Sequence, residues 1–496
     1  MEVPHTRSAP QAGGVPPALR RWLVVVTAGL GMYLMALDIS VNVALPTITD
    51  HFDTDIQTIQ WIIVSFVATR AGLAVSAGSF GDLFGLKRVY LTGALLYGVA
   101  VVLIAFSPGL GLVFGFRVLQ GVGAGSLYAV SPAIAGQAFA VDRRGLAMGV
   151  TIASWALGSI SGTVGMGFLV DVFGWQAVFL ARAPFCVLAL ALGWAVLRDA
   201  EPGGQRPSFD LTGAVTLVGS MVSIVLALHL GGRMGWGSPL PIVFLAAFPL
   251  FLAGFLYAER KATWPVLDLS LLRLLPFLSA CSSMFLVQMG AFVIWFVFPF
   301  YVADGLGHGP LALGMVMAVM AASMSLFAPA AGWLSDRVHP RYVGAMGALM
   351  VTAGLLWMGQ LDQASSLLQV GVRIGVVGLG FGGFQAAAYS LLVKSLPAGR
   401  LGTGAGSISL SQAMGSVIAV ALGGFLFALR SDHHTAALAA GQAAGTVPGV
   451  DVLVLAFQDT FRAAAVTAAL GVPALALSAA WFAGRVPGAR GEAPDQ

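Results

Sequence analysis

The chain has 496 residues, 58% of them apolar and 9% charged, where a soluble domain averages roughly 25% charged. With a mean hydropathy of +0.89, this excludes a soluble enzyme and predicts a polytopic helical membrane protein. A formal net charge of +4 implies no nucleic-acid partner, because the basic residues fall where membrane topology would put them.

Taken in order, residues 1–21 read as a disordered cytoplasmic N-terminus, rich in Pro and Gly at its start. The apolar run from Trp22 to Leu45 is too long for a signal-peptide core and lacks a clean small-residue cleavage site, so it reads as a retained helix. Apolar runs then predict fourteen spans: 22–45, 57–79, 88–107, 110–137, 145–170, 175–197, 211–230, 240–258, 274–302, 311–333, 342–360, 367–393, 402–429 and 459–484. Cys186 and Cys281 both lie inside such runs and read as packing residues. Residues 199–210 form a polar linker, 430–458 the longest outer loop, and 486–496 a cytoplasmic tail. His433 and His434 in that loop read as solvated residues rather than metal ligands.

The lysines and arginines set an orientation. With the N-terminus in the cytoplasm, eighteen of the 25 fall inside, while Arg233, Arg430 and Arg462 fall outside. Four, Arg70, Arg117, Arg182 and Arg373, lie within spans.

Gly78 to Arg88 is a polar island between two apolar runs and reads as a cytoplasmic loop, with Gly81 and Gly85 permitting a tight turn. The pattern returns 254 positions later, Gly78, Asp82 and Lys87 matching Gly332, Asp336 and Arg341. Arg117 and Arg373, each early in its helix, repeat at an offset of 256. The chain therefore reads as two related six-helix halves, 22–198 and 261–485, with an inserted linker and helical hairpin over 199–260. Parallel repeats of this kind frame a central cavity.

Asp38 is the acidic residue placed deepest inside a predicted helix. A charge at that depth costs roughly 2.5–3.5 kcal/mol on insertion scales, so it must face a cavity, find a cation or take up a proton. Asn42 follows on the same face. Asp38 lies about 24 Å along its helix from Trp22, a level that suits Arg117 as its partner. A structural acid that merely ties helices together is the plain alternative. Arg70 falls mid-membrane and reads as facing the cavity, either as a second partner for Asp38 or as a site for an anionic substrate group.

The second half has no equivalent acid: the position matching Asp38 is Phe292, in a run with Gln288 and Trp295 that reads as an adaptable apolar cavity wall or as ordinary packing. Gln385 and Gln412 are candidate polar contacts. Gly121 and Gly125 would let a neighbour approach Arg117's helix. The stripes Ser154, Gly158, Gly162 and Ser407, Ser411, Gly415, Ala419, Gly423 are predicted to form the interface between the halves. The Gly-rich run 121–125 is mid-membrane packing rather than a phosphate loop, the seven histidines are scattered, and no cofactor or metal is expected.

Several of these stretches carry a family resemblance that covers nearly the whole chain. The Gly78–Arg88 loop resembles the loop between the second and third helices of the major facilitator superfamily, with Phe80 and Leu83 as departures; the second copy keeps its Asp-Arg pair in Asp336 and Arg337. Leu37 to Pro46 is similar to the first-helix signature of the fourteen-helix drug:proton antiporter branch, and Arg117-x-x-Gln120-Gly121-x-Gly123 resembles its fourth-helix motif. The resemblance implies an all-α integral membrane fold of fourteen helices working by alternating access. It assigns proton recognition to Asp38 and proton transfer to Arg117, and gating to the loops holding Gly78, Asp82, Gly85, Lys87, Arg88, Asp336, Arg337 and Arg341. The function implied is proton-coupled export of amphipathic small molecules from the cytoplasm across a bacterial inner membrane, by a monomer with both termini inside. The fifth helix departs: Gly162-Thr163-Val164-Gly165-Met166-Gly167 stands where antiporters carry Gly-Pro-x-x-Gly-Gly. That departure keeps a proton symporter or uniporter of a small organic solute in view. An integral-membrane enzyme would need an Asp, Glu or His cluster at a membrane face, which the sequence does not offer.

Overall fold

The structure, a computed structural model, describes residues 17–138, 144–198, 211–262, 271–396, 401–439 and 449–483. Among them every regular element is helical. In chain order the α-helices are α1 (Pro17–Leu37), α2 (Val41–His51), α3 (Ile56–Ile59), α4 (Trp61–Phe84), α5 (Leu86–Ala105), α6 (Leu110–Gln137), α7 (Arg144–Phe173), α8 (Gln176–Leu180) and α9 (Ala183–Val196). They continue with α10 (Leu211–Met234), α11 (Pro239–Lys261), α12 (Leu275–Phe300), α13 (Pro310–Arg337), α14 (Pro340–Met358), α15 (Leu367–Ser395), α16 (Leu401–Ala439) and α17 (Gly449–Ala483). Broken helices merge into single spans, α1 with α2, α3 with α4 and α8 with α9, and the described residues hold fourteen spans long and apolar enough to cross a membrane. Helices answer the chemistry of that environment, since hydrocarbon leaves backbone groups no partner but each other.

Neighbour relations repeat. In the first set α1 packs on α7, α4 on α6 and α5 on α6; in the second α12 packs on α16, α13 on α15 and α14 on α15. The inserted pair α10 and α11 pack on each other, and α10 also leans on both α4 and α16. A Cβ built on Gly232 of α10 would lie 3.3 Å from Gln57 Nε2 on one side and 3.4 Å from Phe425 Cδ2 on the other. Arg233 pairs with Asp55, His229 sits edge-on to Trp61, and Trp236 sits edge-on to Phe425.

The contacts between the two sets that the glycines mark lie at the end of the bundle opposite the N-terminus. Gly167 of α7 faces α13 so closely that a Cβ there would stand 2.7 Å from the Pro310 carbonyl oxygen and 3.2 Å from Gly314 Cα. Gly424 of α16 is similarly close to Gln60 Oε1, at 3.0 Å. This corrects the expectation for the small-residue stripes. Gly158 and Gly162 abut Tyr33, Ala36 and Leu37 of α1, and Gly415 and Gly423 abut Phe285, Gln288, Val293 and Val297 of α12. Both stripes pack within a half; Gly167 and Gly314 do the work between halves.

Helices also run further than the apolar runs suggest. The polar island from Gly78 is not a loop: α4 continues to Phe84 and the turn is Gly85 alone, at φ +85°, a conformation L side chains avoid. In the second copy α13 carries Gly332, Asp336 and Arg337, leaving Val338 and His339 as the turn. Charged side chains at a helix end can reach water while the backbone keeps its bonds. The stretch 430–458, expected as a loop, is likewise helical where described, α16 running to Ala439 and α17 starting at Gly449. Asp459 holds this extension: its Oδ2 takes Arg430 Nε and His434 Nε2, both at 3.0 Å, and its Oδ1 takes Arg462 Nη1 at 3.2 Å. His434 is thus paired rather than simply solvated. At the other end α1 begins at Pro17, ahead of the predicted Trp22. Residues 1–16, the linker 199–210 and the tail 486–496 lie outside the described residues.

Candidate functional site

Asp38 opens a 3-10 turn, Asp38–Ser40, between α1 and α2. Two tyrosines of α5 hold the approach to it: Tyr90 donates to the Thr27 carbonyl at 2.6 Å and Tyr97 to the Leu34 carbonyl at 3.1 Å. Ser40 donates to the Leu37 carbonyl at 2.6 Å. Pro46, inside α2, cannot donate to the Asn42 carbonyl one turn back.

The carboxylate is 8% exposed and is met by two guanidinium groups, Arg117 at 1% and Arg182 at 0%. Arg117, from α6, binds both oxygens, Nη1 to Oδ1 at 2.7 Å and Nη2 to Oδ2 at 3.1 Å. Its Nε donates to the Ile62 carbonyl at 2.8 Å, Nη1 also donates to Gln120 Oε1 at 2.6 Å, and the group lies 4.4 Å from the Phe66 ring centre. Arg182, at the break between α8 and α9, puts Nη1 3.0 Å from Asp38 Oδ1. Its Nη2 donates to the Leu37 carbonyl at 2.8 Å and to Ser40 Oγ at 3.0 Å. Gln120 Nε2 reaches Oδ1 at 3.4 Å. One carboxylate therefore ties α1, α6 and the α8–α9 break together, every bond charge-assisted.

Asp38 and Arg117 are brought together as the sequence predicts. Arg182, one of the four cations that the sequence puts within spans, is the unpredicted partner; its signal is a lone cation in the apolar stretch between Val178 and Val196. Arg70, on α4, makes no ion pair with Asp38: its guanidinium lies 5.7 Å from the Phe66 ring centre, and Arg182 takes the second place. Asn42 is buried one turn beyond Asp38. Gly121 and Gly125 admit α4: Cβ atoms there would stand 3.0 Å from the Phe66 carbonyl oxygen and 3.3 Å from that of Arg70.

In the second half Gln288 donates to Ser416 Oγ at 2.9 Å, and Tyr389 donates to Gln412 Oε1 at 3.3 Å. Trp295 is buried, while Phe292 and Gln385 are half-buried. Among the described residues Arg373, the counterpart of Arg117, pairs with no acid, and it donates to the Trp357 carbonyl at 3.0 Å.

Among the residues expected to gate, the side chains of 74–84, Gly78 and Asp82 included, lie outside the described residues. Lys87 lies 5.4 Å from the Trp194 ring centre, and Arg88 is exposed. Asp336 pairs with Lys394 at 3.8 Å, and Lys394 donates to the Ser335 carbonyl at 2.6 Å. Arg337 stacks on Trp333 at 3.8 Å, and Arg341 donates to the Tyr342 hydroxyl at 2.6 Å. At the end opposite the N-terminus a cavity of about 620 Å³ is lined by Asp50, Asp55, Asp304, Asp432 and Arg233.

The sequence profile of the Major Facilitator Superfamily matches residues 22–258 and 280–495. The chain belongs to the Major Facilitator Superfamily. As a member of the Major Facilitator Superfamily it is a multi-pass transport protein and not an enzyme. It is 28% identical over 408 residues to the multidrug resistance protein Stp of Mycobacterium tuberculosis, covering 82% of this chain and 76% of that one. It is 28% identical over 414 residues to the tetracenomycin C resistance and export protein of Streptomyces glaucescens, covering 83% and 77%, and 28% identical over 404 residues to the riboflavin transporter RibZ of Clostridioides difficile, covering 80% and 87%. Among solved structures, a bacterial homolog of the human lysosomal transporter Spinster, described as inward-facing and unoccupied, superposes with a TM-score of 0.66 at 15% identity, covering 96% of this chain and all of that one. That likeness speaks to the fold alone.

Proposed function

We propose that this transporter exports amphipathic small molecules, drugs or secondary metabolites, from a bacterial cytoplasm in exchange for protons. Relatives named for multidrug resistance and for antibiotic export support the direction and the class of cargo. The observation that carries the coupling is the buried carboxylate of Asp38 held by Arg117 and Arg182. A carboxylate fastened by two guanidinium groups takes a proton only when α1 moves away from α6 and the α8–α9 break. Once protonated it no longer pulls them back. Proton uptake and helix rearrangement are then one event.

The cargo site lies between halves 22–198 and 261–485, among Asn42, Arg70, Gln288, Phe292, Trp295, Gln385 and Gln412, with the 199–260 insert outside it. The end bearing the N-terminus is cytoplasmic, following the basic residues, and Gly78, Asp82, Gly85, Lys87, Arg88, Asp336, Arg337 and Arg341 control its opening. The working unit is a monomer.

Proton flux in proteoliposomes under an imposed pH gradient tests this. Cargo-dependent proton movement that disappears in Asp38→Asn, with the variant folded, supports the exchanger. Transport without proton movement would instead favour the uniporter that Thr163 and Met166, at the antiporter-motif positions of α7, keep in view.

A further inference from the structure

Three guanidinium groups gather in the first half against one carboxylate. Asp38 is consumed by Arg117 and Arg182, which leaves Arg70 without an acid. Among the described residues Arg70 makes no ion pair or hydrogen bond; its ring contact with Phe66 at 5.7 Å is the one specific interaction it has. It is half-buried, and its nitrogens are not among the sealed, unpartnered polar atoms, so the guanidinium reaches open space. Its backbone is fixed, the carbonyl lying 3.3 Å from where a Cβ of Gly125 would be. The charges within electrostatic reach are Asp38 and Arg117, and beside them stands the phenol of Tyr128 on α6. Tyr128 in turn stands within reach of Tyr389 on α15 of the other half, whose hydroxyl donates to Gln412 Oε1.

A half-buried cation in a region already carrying excess positive charge is held at a cost unless an anion joins it. We propose that Arg70 is the substrate-anion site: it binds a carboxylate or phenolate borne by an otherwise apolar aromatic cargo, whose ring lies against Phe66. Tyr128 from one half supplies a hydroxyl, and Gln412 from the other, its amide oxygen held by the Tyr389 hydroxyl, supplies an amide N–H as the halves close. A planar guanidinium suits such oxyanions, offering two parallel N–H groups where an ammonium offers a point charge. This rests on the reading of the chain as a transporter with its cargo between the halves.

The test uses full-length protein in nanodiscs, with no gradient, and three fluorescent probes of one shape: 9-anthracenecarboxylate, 9-anthracenemethanol and 9-(aminomethyl)anthracene. The expected result is that the carboxylate binds about tenfold more tightly than the alcohol, as a charge-assisted contact should give, and the ammonium weakest. Arg70→Gln should erase that preference, the carboxylate and the alcohol then binding alike, with the unfolding midpoint in place, and Arg70→Lys should restore part of it. An anion preference that survives Arg70→Gln, a preference for the ammonium, or no binding of the carboxylate would each overturn the proposal, as would competition by chloride with no discrimination among the probes. Binding as expected together with no transport in proteoliposomes would sink the transporter reading of the site and leave the anion site standing.

Discussion

Arg182 Nη1 stands 3.0 Å from Asp38 Oδ1, the same oxygen that Arg117 Nη1 meets at 2.7 Å. The two arginines are therefore unequal. Arg117 holds both oxygens, whereas Arg182 shares one and spends Nη2 on the Leu37 carbonyl and Ser40. Removing the carboxylate strands two buried cations; removing Arg182 leaves a bidentate pair intact. We expect Asp38→Asn to destabilise by about 3–5 kcal/mol and Arg182→Met by less. The double variant should recover part of the loss, with a coupling of about 0.5–3 kcal/mol. Thermal unfolding of the three variants in nanodiscs measures the cycle, and strict additivity would show that the two residues do not share an interaction.

The contact of Gly167 with Pro310 and Gly314 sets how closely the halves meet away from the N-terminus. Gly167→Val adds bulk where a Cβ alone would already stand 2.7 Å from the Pro310 carbonyl oxygen, a strain of about 1–3 kcal/mol on that closed arrangement and none on an open one. A shift of 1.4 kcal/mol moves such an equilibrium about tenfold. Thiol labelling of a cysteine placed at Phe427, which is buried at that end of the bundle, should quicken by that order, with transport reduced.

Asp336 and Lys394 are a surface pair, 3.8 Å apart with the carboxylate 77% exposed. Exposed pairs contribute about 0–1 kcal/mol. Asp336→Asn should leave the unfolding midpoint nearly unchanged, so any large loss of transport in that variant reports on opening rather than folding. A fall in stability well beyond that range would show the contact to be structural.

Asp459 gathers Arg430, His434 and Arg462. Asp459→Ala should loosen the last turns of α16, seen as faster amide exchange over 430–437 with the rest of α16 protected. Unchanged exchange would mean that the helix holds itself.

His339, in the turn between α13 and α14, titrates below its ordinary value because of partial burial first and then the nearby Arg341 and Lys394. Its Nδ1 accepts from the Arg341 amide at 3.3 Å and must be unprotonated to do so. The contribution of that cap is present above the ordinary histidine range and is lost as pH falls through the lowered value. Titration followed by NMR on labelled histidine should give a midpoint below about 6.5.

Composition alone made the fourteen spans legible, because apolar length is what a bilayer selects. The Asp38–Arg117 pair was legible too, since two opposite charges buried at one depth have few other partners. Arg182 was not, because its place beside Asp38 depends on how the α8–α9 break crosses α1, and no periodicity encodes a crossing. The glycine stripes at 158–162 and 415–423 announced close packing but not with whom: four-residue spacing fixes a face, and only the assembled bundle says what that face meets. The ends of α4, α13 and α16 were misjudged for a related reason. Hydropathy marks where hydrocarbon stops, and these helices continue past that point because Gly85 alone can make one turn and Asp459 braces the other.

The placement of α10 gives the bundle two unlike flanks. Where the span of α3 and α4 meets α16, Gly232, Arg233 and Trp236 bridge from Asp55 and Gln57 to Phe425, so a lipophilic molecule diffusing within the leaflet finds that side shuttered near the end away from the N-terminus. Along the line where α7 meets α13, the described residues place no such cover, and Val164 and Phe168 on α7 and Met315 and Val319 on α13 turn outward. At that depth the α7–α13 seam is instead shut by the helices themselves, Gly167 lying against Pro310 and Gly314, so a lipophilic molecule would reach the interior along that flank only as the halves part.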